Sequence, residues 1–272
     1  MNRIIPLSAI LIAAPLLLPA QSSSTLIGAR ASGMGYTSSC LTDEWAIFNN
    51  VAGLAKVKQL AAGFSYDAQV NFKNFNRMAA VLAIPTKIGV GGIGLYRFGD
   101  ALYNEQIVSG GFANSFGLAS IGVNFSYIQY NTEGFGRKDA FTISAGGIAQ
   151  ITPIIAVGAC ITNINQPKLS SDDPERLPTL LTLGVQFKTT DKLNIATEIR
   201  KDLDYDATWK IGIEYNFTPK FAFRTGVNVN PNTGFIGFGF KSKKLSIDYA
   251  YAHSLDIGGK HQATVGYQFK SK

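Results

Sequence analysis

From about residue 60 onward, hydrophobic and polar side chains alternate along the chain. In the run 209–217, the odd positions carry Trp, Ile, Ile, Tyr and Phe, whereas the even positions include Lys210, Gly212 and Glu214. Because successive side chains of a strand point to opposite faces, this period of two predicts β-strands. The second face of these runs is built of Gly, Ala, Ser, Asn, Gln and single charges. Such residues suit a crowded lumen, and the large apolar residues suit a face turned to lipid.

Turn signals divide residues 60–272 into fourteen runs of this kind. The runs are 60–70, 77–85, 87–98, 103–113, 118–130, 138–152, 154–164, 178–189, 193–200, 207–217, 221–229, 233–241, 245–254 and 260–270. An even number lets an antiparallel sheet close with no unpaired edge facing lipid. Tight turns such as 85–87 alternate with longer links such as 165–178, which we place at the periplasmic and the outer end. We predict an all-β fold, a 14-stranded antiparallel transmembrane β-barrel over 60–272, with a soluble β-sandwich as the alternative.

The first 59 residues follow other patterns. A basic start, an apolar stretch Ile4–Leu18 and a small residue at Ala20 are typical of a secretory signal peptide over 1–20. Residues 21–59 are rich in small side chains, and Trp45 and Phe48 have helical spacing. We predict that this segment is a partly helical plug in the lumen.

Charge and composition change this picture little. The chain has 25 basic and 18 acidic residues, a net charge of +7, but its lysines and arginines are scattered singly through the turns. This distribution does not favour nucleic acid as a partner. With 28 glycines and only 16 % charged residues, the composition suits a sheet protein surrounded by lipid. The expected location is the outer membrane of a Gram-negative cell.

The N-terminal segment carries a motif that resembles the start of the FadL-like outer-membrane barrels. These include the long-chain fatty-acid transporters and the PorV/PorQ proteins of type IX secretion in Bacteroidetes-type bacteria. The matching positions are Gly28, Arg30, Gly33, Gly35, Asp43, Glu44, Asn50 and Gly53. The resemblance implies a fourteen-stranded barrel with an N-terminal plug. Tyr36 and Val51 depart from the family pattern, which has a small residue and a proline there.

A glycine pair in the third run interrupts the alternation. Ile88 and Val90 occupy even positions and Ile93 an odd one, with Gly91 and Gly92 between them. A paired glycine with a change of phase predicts a bulge or kink. In the fatty-acid transporters, a kink in the third strand opens a lateral exit for apolar cargo; ordinary barrel curvature is the alternative. The run also contains G-x-G-x-x-G, but it does not open a helix, as a dinucleotide site requires.

Several charges lie on the polar face of neighbouring strands. They are Glu198, Arg200, Lys210, Glu214, Arg224 and Asp248. Since buried charges need partners, we expect opposite charges to pair across strands and to reach Arg30, Asp43 or Glu44 of the plug. Such pairs would hold the plug in place. A polar path for solute is the alternative interpretation.

One of the two cysteines lies in the predicted plug, and the other lies in the predicted wall. Cys40 lies in the plug, and the parity of Val157 and Ala159 places Cys160 on the lumen side. An oxidising periplasm permits a disulfide between them, and two buried thiols are the alternative.

Enzymatic and metal sites are not indicated. The two histidines, His253 and His261, have no accompanying serine or carboxylate constellation, and two cysteines are too few for a metal site. We therefore expect a non-enzymatic protein without cofactor or metal. The first functional hypothesis is an accessory subunit that docks beside a larger outer-membrane secretion or barrel-assembly complex. The second is a passive diffusion channel for hydrophobic molecules, with a possible hydrophobic ligand in its lumen.

Overall fold

A computed structural model describes residues 25–72, 74–169, 176–203, 205–255 and 258–269. The chain forms a closed barrel of fourteen antiparallel strands, in which β1 pairs with both β2 and β14. The strands are β1 Ala61–Gln69, β2 Arg77–Thr86, β3 Gly89–Gly99, β4 Tyr103–Phe116, β5 Ala119–Thr132, β6 Gly136–Gln150, β7 Ile155–Thr162, β8 Leu180–Lys188, β9 Leu193–Asp202, β10 Thr208–Asn216, β11 Phe221–Val229, β12 Thr233–Lys241, β13 Leu245–Ser254 and β14 Gly258–Gln268. The predicted fourteen-stranded antiparallel barrel is confirmed. The predicted signal peptide, 1–20, lies outside the described residues.

Alternation along each strand sorts the side chains into two faces. On β10, the outward Trp209 and Ile211 are 56 % and 50 % exposed, whereas the inward Lys210 and Glu214 are 3 % and 4 % exposed. Large apolar side chains therefore cover most of the outside of the barrel, whereas the inside carries small, polar and charged side chains together with an apolar group around Phe98, Ile107 and Ile128.

Residues 25–60, the inner segment, precede the first strand. They contain a short α-helix, α1 (Ala29–Gly33), and two 3₁₀-helices, Glu44–Ile47 and Val51–Lys56. The Asp43 side chain accepts the Trp45 amide at the start of the first 3₁₀-helix, and the Asn50 side chain accepts the Ala52 amide at the start of the second. No helix among the described residues has the length and apolar character needed to cross a membrane.

The wall of the barrel becomes shorter from β6 to β7, and we call this change the step. Strand β6 has 15 residues and β7 only 8, and the two pair only over residues 145–150 of β6. Beyond that point, the link after β7 lies against the free side of β6. Ile164 donates its amide to the Ile143 carbonyl at 2.8 Å, and the Asn165 side chain bonds to Ile143 and Phe141. We call the end of the barrel with the longer links the outer end.

The bulge that the glycine pair in β3 predicted is not formed. Strand β3 pairs with β2 and β4 residue by residue along its length, so it contains no bulge. The apparent change of phase arises because Ile88 lies in the turn before the strand, where it is 73 % exposed, while Val90 already faces inward. Gly91 faces outward and Gly92 faces inward, in the regular alternation of the strand.

Candidate functional site

Inward-facing glycines mark where the inner segment touches the wall. A methyl group added to Gly63 would lie 2.8 Å from Cζ2 of Trp45, and one added to Gly94 would lie 2.7 Å from Cζ of Phe48. Twelve wall glycines on eleven strands meet the inner segment in this way. They are Gly63, Gly92, Gly94, Gly111, Gly122, Gly146, Gly158, Gly184, Gly212, Gly226, Gly237 and Gly266. Because these contacts surround the segment, it lies within the ring of strands. It packs so closely that the wall has no room for larger side chains at these glycine positions.

The motif glycines of the inner segment serve the same close fit. Gly28 and Gly35 have φ values of 115° and 66°, in the region that favours glycine. Gly33 packs against the backbone of Gly237, and Gly53 against the carbonyl of Leu41. A side chain at any of these four positions would strain the backbone or displace a neighbour.

A chain of ion pairs joins the inner segment to the wall. Arg30 forms a bidentate pair with Glu214, with Nε–Oε2 and Nη2–Oε1 distances of 2.9 and 2.7 Å. It also reaches Asp43 at 3.4 Å. On the wall, Arg224 bonds both Glu214 and Asp248 at 2.7 Å. Five of the charges singled out from the sequence therefore form one network.

A second group is centred on Glu198. One carboxylate oxygen accepts the amides of Ser38 and Ser39 at 2.9 and 2.8 Å. The other accepts Nζ of Lys210 at 2.8 Å, and this ammonium also donates to the Tyr36 carbonyl at 3.2 Å. Glu198 thus binds the inner segment through backbone amides rather than through an opposite charge, a contact that side-chain patterns do not reveal.

The remaining two predicted charges are Arg200 and Glu44. Arg200 lines the outer part of the lumen. Glu44 is buried near Gly266 of the wall. Burial, reinforced by the neighbouring Asp43, raises the pKa of Glu44 to about 7.

Asn50 joins the inner segment to two strands at once. Its side chain donates to the carbonyls of Ser39, Gly147 and Ala159, at 2.6, 3.1 and 3.4 Å. Asn50 is fully buried, so these bonds satisfy an amide that water cannot reach.

One buried cluster was missed in the sequence. Arg77 and Asp67 form an ion pair on the inner face of β1 and β2, with Nε–Oδ2 at 2.8 Å. The Tyr36 hydroxyl accepts bonds from Arg77 and Lys260 and donates to Gln262. Burial opposes ionisation of this phenol, but Lys260 and Arg77 outweigh it and lower the pKa of Tyr36. The inward parity of Asp67 was the available signal.

The two cysteines are free thiols. Cys40 is buried against the carbonyls of Ala156 and Gly184, and Cys160 contacts the Asn49 carbonyl. Of the two alternatives that the sequence left open, the structure therefore shows the two thiols and not the disulfide. Within the described parts of the chain, no group of three or more His, Cys, Asp or Glu side chains could hold a metal ion.

A cavity of about 1430 Å³ occupies the outer part of the lumen, above the inner segment. We call it the outer cavity. Its apolar side is formed by Phe98, Ile107, Ile128, Tyr130 and Leu177, together with Ile47, Phe48 and Val51 of the inner segment. Charged residues line the cavity as well: Glu105, Lys138 and Arg176 lie close to the apolar residues, and Arg200, Asp202, Lys210 and Lys260 lie on the other side. An amphipathic cavity of this size can hold a small organic molecule.

The fold and the lumen together define a closed fourteen-stranded β-barrel with a segment packed inside it and a cavity at its outer end. No protein-family model matches the sequence, and no curated protein matches it.

Solved structures share this architecture at low sequence identity. The Ralstonia pickettii toluene transporter TbuX aligns with a TM-score of 0.74 and 13 % identity, over 92 % of this chain and 100 % of its own. The P. putida toluene transporter TodX aligns with a TM-score of 0.71 and 12 % identity, over 92 % and 100 %. The CymD monoaromatic hydrocarbon channel aligns with a TM-score of 0.66 and 12 % identity, over 92 % and 99 %. These similarities establish the fold, which is that of transporter and channel barrels.

Proposed function

We propose that this chain is an outer-membrane β-barrel that gives small hydrophobic molecules a passage through its lumen. Support for a membrane location comes from the outward face, where Phe64, Leu95, Val108 and Phe238 are each about half exposed. Soluble proteins rarely expose an apolar surface of this extent, because it associates or aggregates in water. A lipid bilayer covers such a face at no cost.

The observation that carries the proposal is the apolar side of the outer cavity. Phe98, Ile107 and Ile128 face the lumen. In a water-filled pore, lumen-facing positions of this kind carry polar side chains. They belong to one apolar cluster with Tyr130 and Leu177. A surface of this kind binds hydrocarbon because binding removes apolar area from water. The neighbours TbuX and TodX are described as toluene transporters, which agrees with this ligand class.

In this proposal, the inner segment acts as a plug. Support comes from its contacts with glycines around the wall and from the Arg30–Glu214 pair. The charged side chains of the lumen then hold the segment in place, and the outer cavity is the space that remains for a ligand.

The first hypothesis from the sequence, an accessory subunit of the PorV type, has no support from the similar structures. The channel hypothesis accounts for the apolar cavity, whereas a docking subunit has no need of one. We therefore adopt the channel as the proposed function.

Binding of toluene to the purified protein tests the proposal. Toluene should compete with an environment-sensitive apolar dye for the outer cavity. Ile128→Asn places an amide on the apolar side and should weaken binding of toluene and dye severalfold. Thr233→Asn, at the opposite side of the cavity, is the matched control and should leave both affinities unchanged. A wild-type protein that binds no toluene, or that conducts sugars as an open aqueous pore does, would overturn the proposed function.

A further inference from the structure

Exposed lysines gather on three neighbouring turns at the end of the barrel opposite the outer end. They lie in, or directly beside, the turns that join β8 to β9, β10 to β11 and β12 to β13, whose strands are adjacent in the sheet. We call these six exposed residues the lysine arc: Lys188, Lys192, Lys220, Lys241, Lys243 and Lys244. Asp191 is the one acidic residue of these turns. Lysines that are scattered in the sequence therefore form one basic patch.

The lysine arc carries a net positive charge that ion pairs do not neutralise. Among the described residues, none forms a salt bridge or a side-chain hydrogen bond with an ammonium group of the arc. At the outer end the two signs are mixed instead, and Arg137 and Lys138 lie within a few positions of Glu133 and Asp139. The arc is therefore a surface that fits an anionic partner.

Two other turns at the same end of the barrel contain no charged residue. The β4–β5 turn exposes Phe116 and Leu118, by 62 % and 71 %, and the β6–β7 turn exposes Ile151 and Ile154. Solvation of the turns therefore does not account for the lysines, because turns at this end fold without charge. The positive charge belongs to one side of the rim.

Aromatic side chains indicate the depth of the lysine arc. On the outward face of β10 to β12, the ring of Phe221 lies 6.0 Å from that of Phe217 and 5.2 Å from that of Phe240. Lys220 directly precedes Phe221, and Lys241 directly follows Phe240. Aromatic rings concentrate at the boundary between hydrocarbon and headgroups. In a bilayer, the ammonium groups beside them reach the level of the headgroup phosphates, because the lysine stem extends along apolar surface.

We propose that the lysine arc binds the phosphate groups of anionic phospholipids in the leaflet at this end of the barrel. The inference rests on the membrane location in the proposed function and adds a partner that passage of a hydrophobic molecule does not require. A lipid fits better than an acidic protein, because the lysines adjoin outward aromatic rings that the hydrocarbon of the same lipid covers. Each lysine near the surface adds to the attraction.

Binding at one side of the rim predicts an uneven lipid shell. Anionic lipid should gather beside β8 to β13 rather than beside β4 to β7. Since exposed charges are screened by ions in solution, the preference should fall as the salt concentration rises.

Retention of lipid tests the proposal. The purified protein is placed in nanodiscs of equal parts phosphatidylglycerol and zwitterionic phosphatidylcholine, and native mass spectrometry of the released barrel gives the ratio of the two lipids that stay bound. The wild type should retain severalfold more phosphatidylglycerol. Lys220→Gln/Lys243→Gln/Lys244→Gln should lower this ratio severalfold, and added salt should lower the ratio of the wild type.

Arg97→Gln/Arg137→Gln/Lys168→Gln is the matched control, because it removes the same number of exposed positive charges from the outer end. Both leaflets of a nanodisc have the same composition, so the two variants differ in the end that has lost its charge. The control should keep the ratio of the wild type. A ratio near one for the wild type, or an equal fall in both variants, would overturn the proposal.

Two probes stand for other sources of negative charge. Glycerol phosphate should not displace phosphatidylglycerol, and displacement would indicate a site for free phosphate rather than for lipid. Polyglutamate represents an acidic protein. A wild type that retains both lipids equally, but loses binding of polyglutamate in the triple lysine variant, would assign the arc to a protein and overturn the lipid.

Toluene binding separates this inference from the proposed function. The triple lysine variant should bind toluene as the wild type does, since no lysine of the arc is among the described residues that line the outer cavity. If the wild type binds toluene but retains both lipids equally, the lipid site is wrong and the channel stands. If it binds no toluene but retains phosphatidylglycerol, the channel is wrong and the lipid site stands.

Discussion

The guanidinium of Arg30 lies flat against the carboxylate of Glu214, joined to it by two hydrogen bonds of 2.9 and 2.7 Å across 184 positions of sequence. Arg224 approaches the same carboxylate from the wall at 2.7 Å. Glu214 is therefore shared between the inner segment and the barrel, and its charge keeps two arginines in the lumen.

Removing this charge should loosen the inner segment. Glu214→Gln leaves Arg30 and Arg224 with an uncharged partner in a buried site, at a cost of about 3 kcal/mol in the free energy of unfolding. We expect a lower thermal midpoint in detergent and faster proteolysis within residues 25–60. Glu133→Gln, at an exposed turn, should change neither quantity. Equal midpoints for the two variants would show that the network does not hold the segment.

The wall glycines give a second test. A methyl group at Gly158 meets the backbone carbonyl of Ser39, which cannot turn aside as a side chain can. Gly158→Ala should therefore destabilise the barrel by about 1–3 kcal/mol, the usual cost of overpacking a filled interior. In Gly147→Ala the methyl group points outward, and the nearest atom, the Ser120 carbonyl oxygen, lies 3.8 Å away. Thermal unfolding of the two proteins should differ accordingly, and a stable Gly158→Ala would contradict the close fit.

The buried carboxyl of Glu44 predicts a dependence on pH. Its pKa is raised from 4.5 to about 7 in the folded protein, so the folded state holds a proton that the unfolded chain has released. The free energy of unfolding should thus fall between pH 4.5 and 7, by up to about 3 kcal/mol, and level off above. Glu44→Gln removes this term. Unfolding midpoints measured from pH 4.5 to 8 should decline in the wild type and decline less steeply in the variant, which keeps Asp43, a carboxyl whose pKa is also raised by burial.

Asn50 predicts a local effect on β6 and β7. Asn50→Ala deletes the bonds to Ser39, Gly147 and Ala159 and the cap of the second 3₁₀-helix, with a cost of about 2 kcal/mol. Hydrogen exchange should rise in β6 and β7 more than in β12 and β13. Asn216→Ala, at the end of β10, serves as the control substitution. A uniform rise over all strands would indicate general destabilisation instead.

The strands could be read from the sequence because their two faces differ so strongly. Trp209 and Lys210 are assigned to opposite faces by parity alone, and the fourteen runs correspond to the fourteen strands. The ion pairs followed from the same parity, since Glu214, Arg224 and Asp248 occupy inward positions of strands that are not far apart.

Sequence patterns could not show which wall positions lie in close contact with the inner segment. Gly91 and Gly92 look alike in the sequence, yet one faces outward with room beside it and the other lies against Leu54. The apparent change of phase in β3 came from Ile88, because this turn residue was counted with the strand. The step between β6 and β7 was also hidden, because the link after β7 resembles a continuation of the strand until its pairing is known.

The glycine contacts carry a consequence for how the chain assembles. Wall glycines meet the inner segment on eleven strands, and Glu198 of β9 bonds to it as well, so the finished barrel encloses that segment in close contact. We therefore expect the segment to take its place before β1 and β14 join, so that the sheet closes around it.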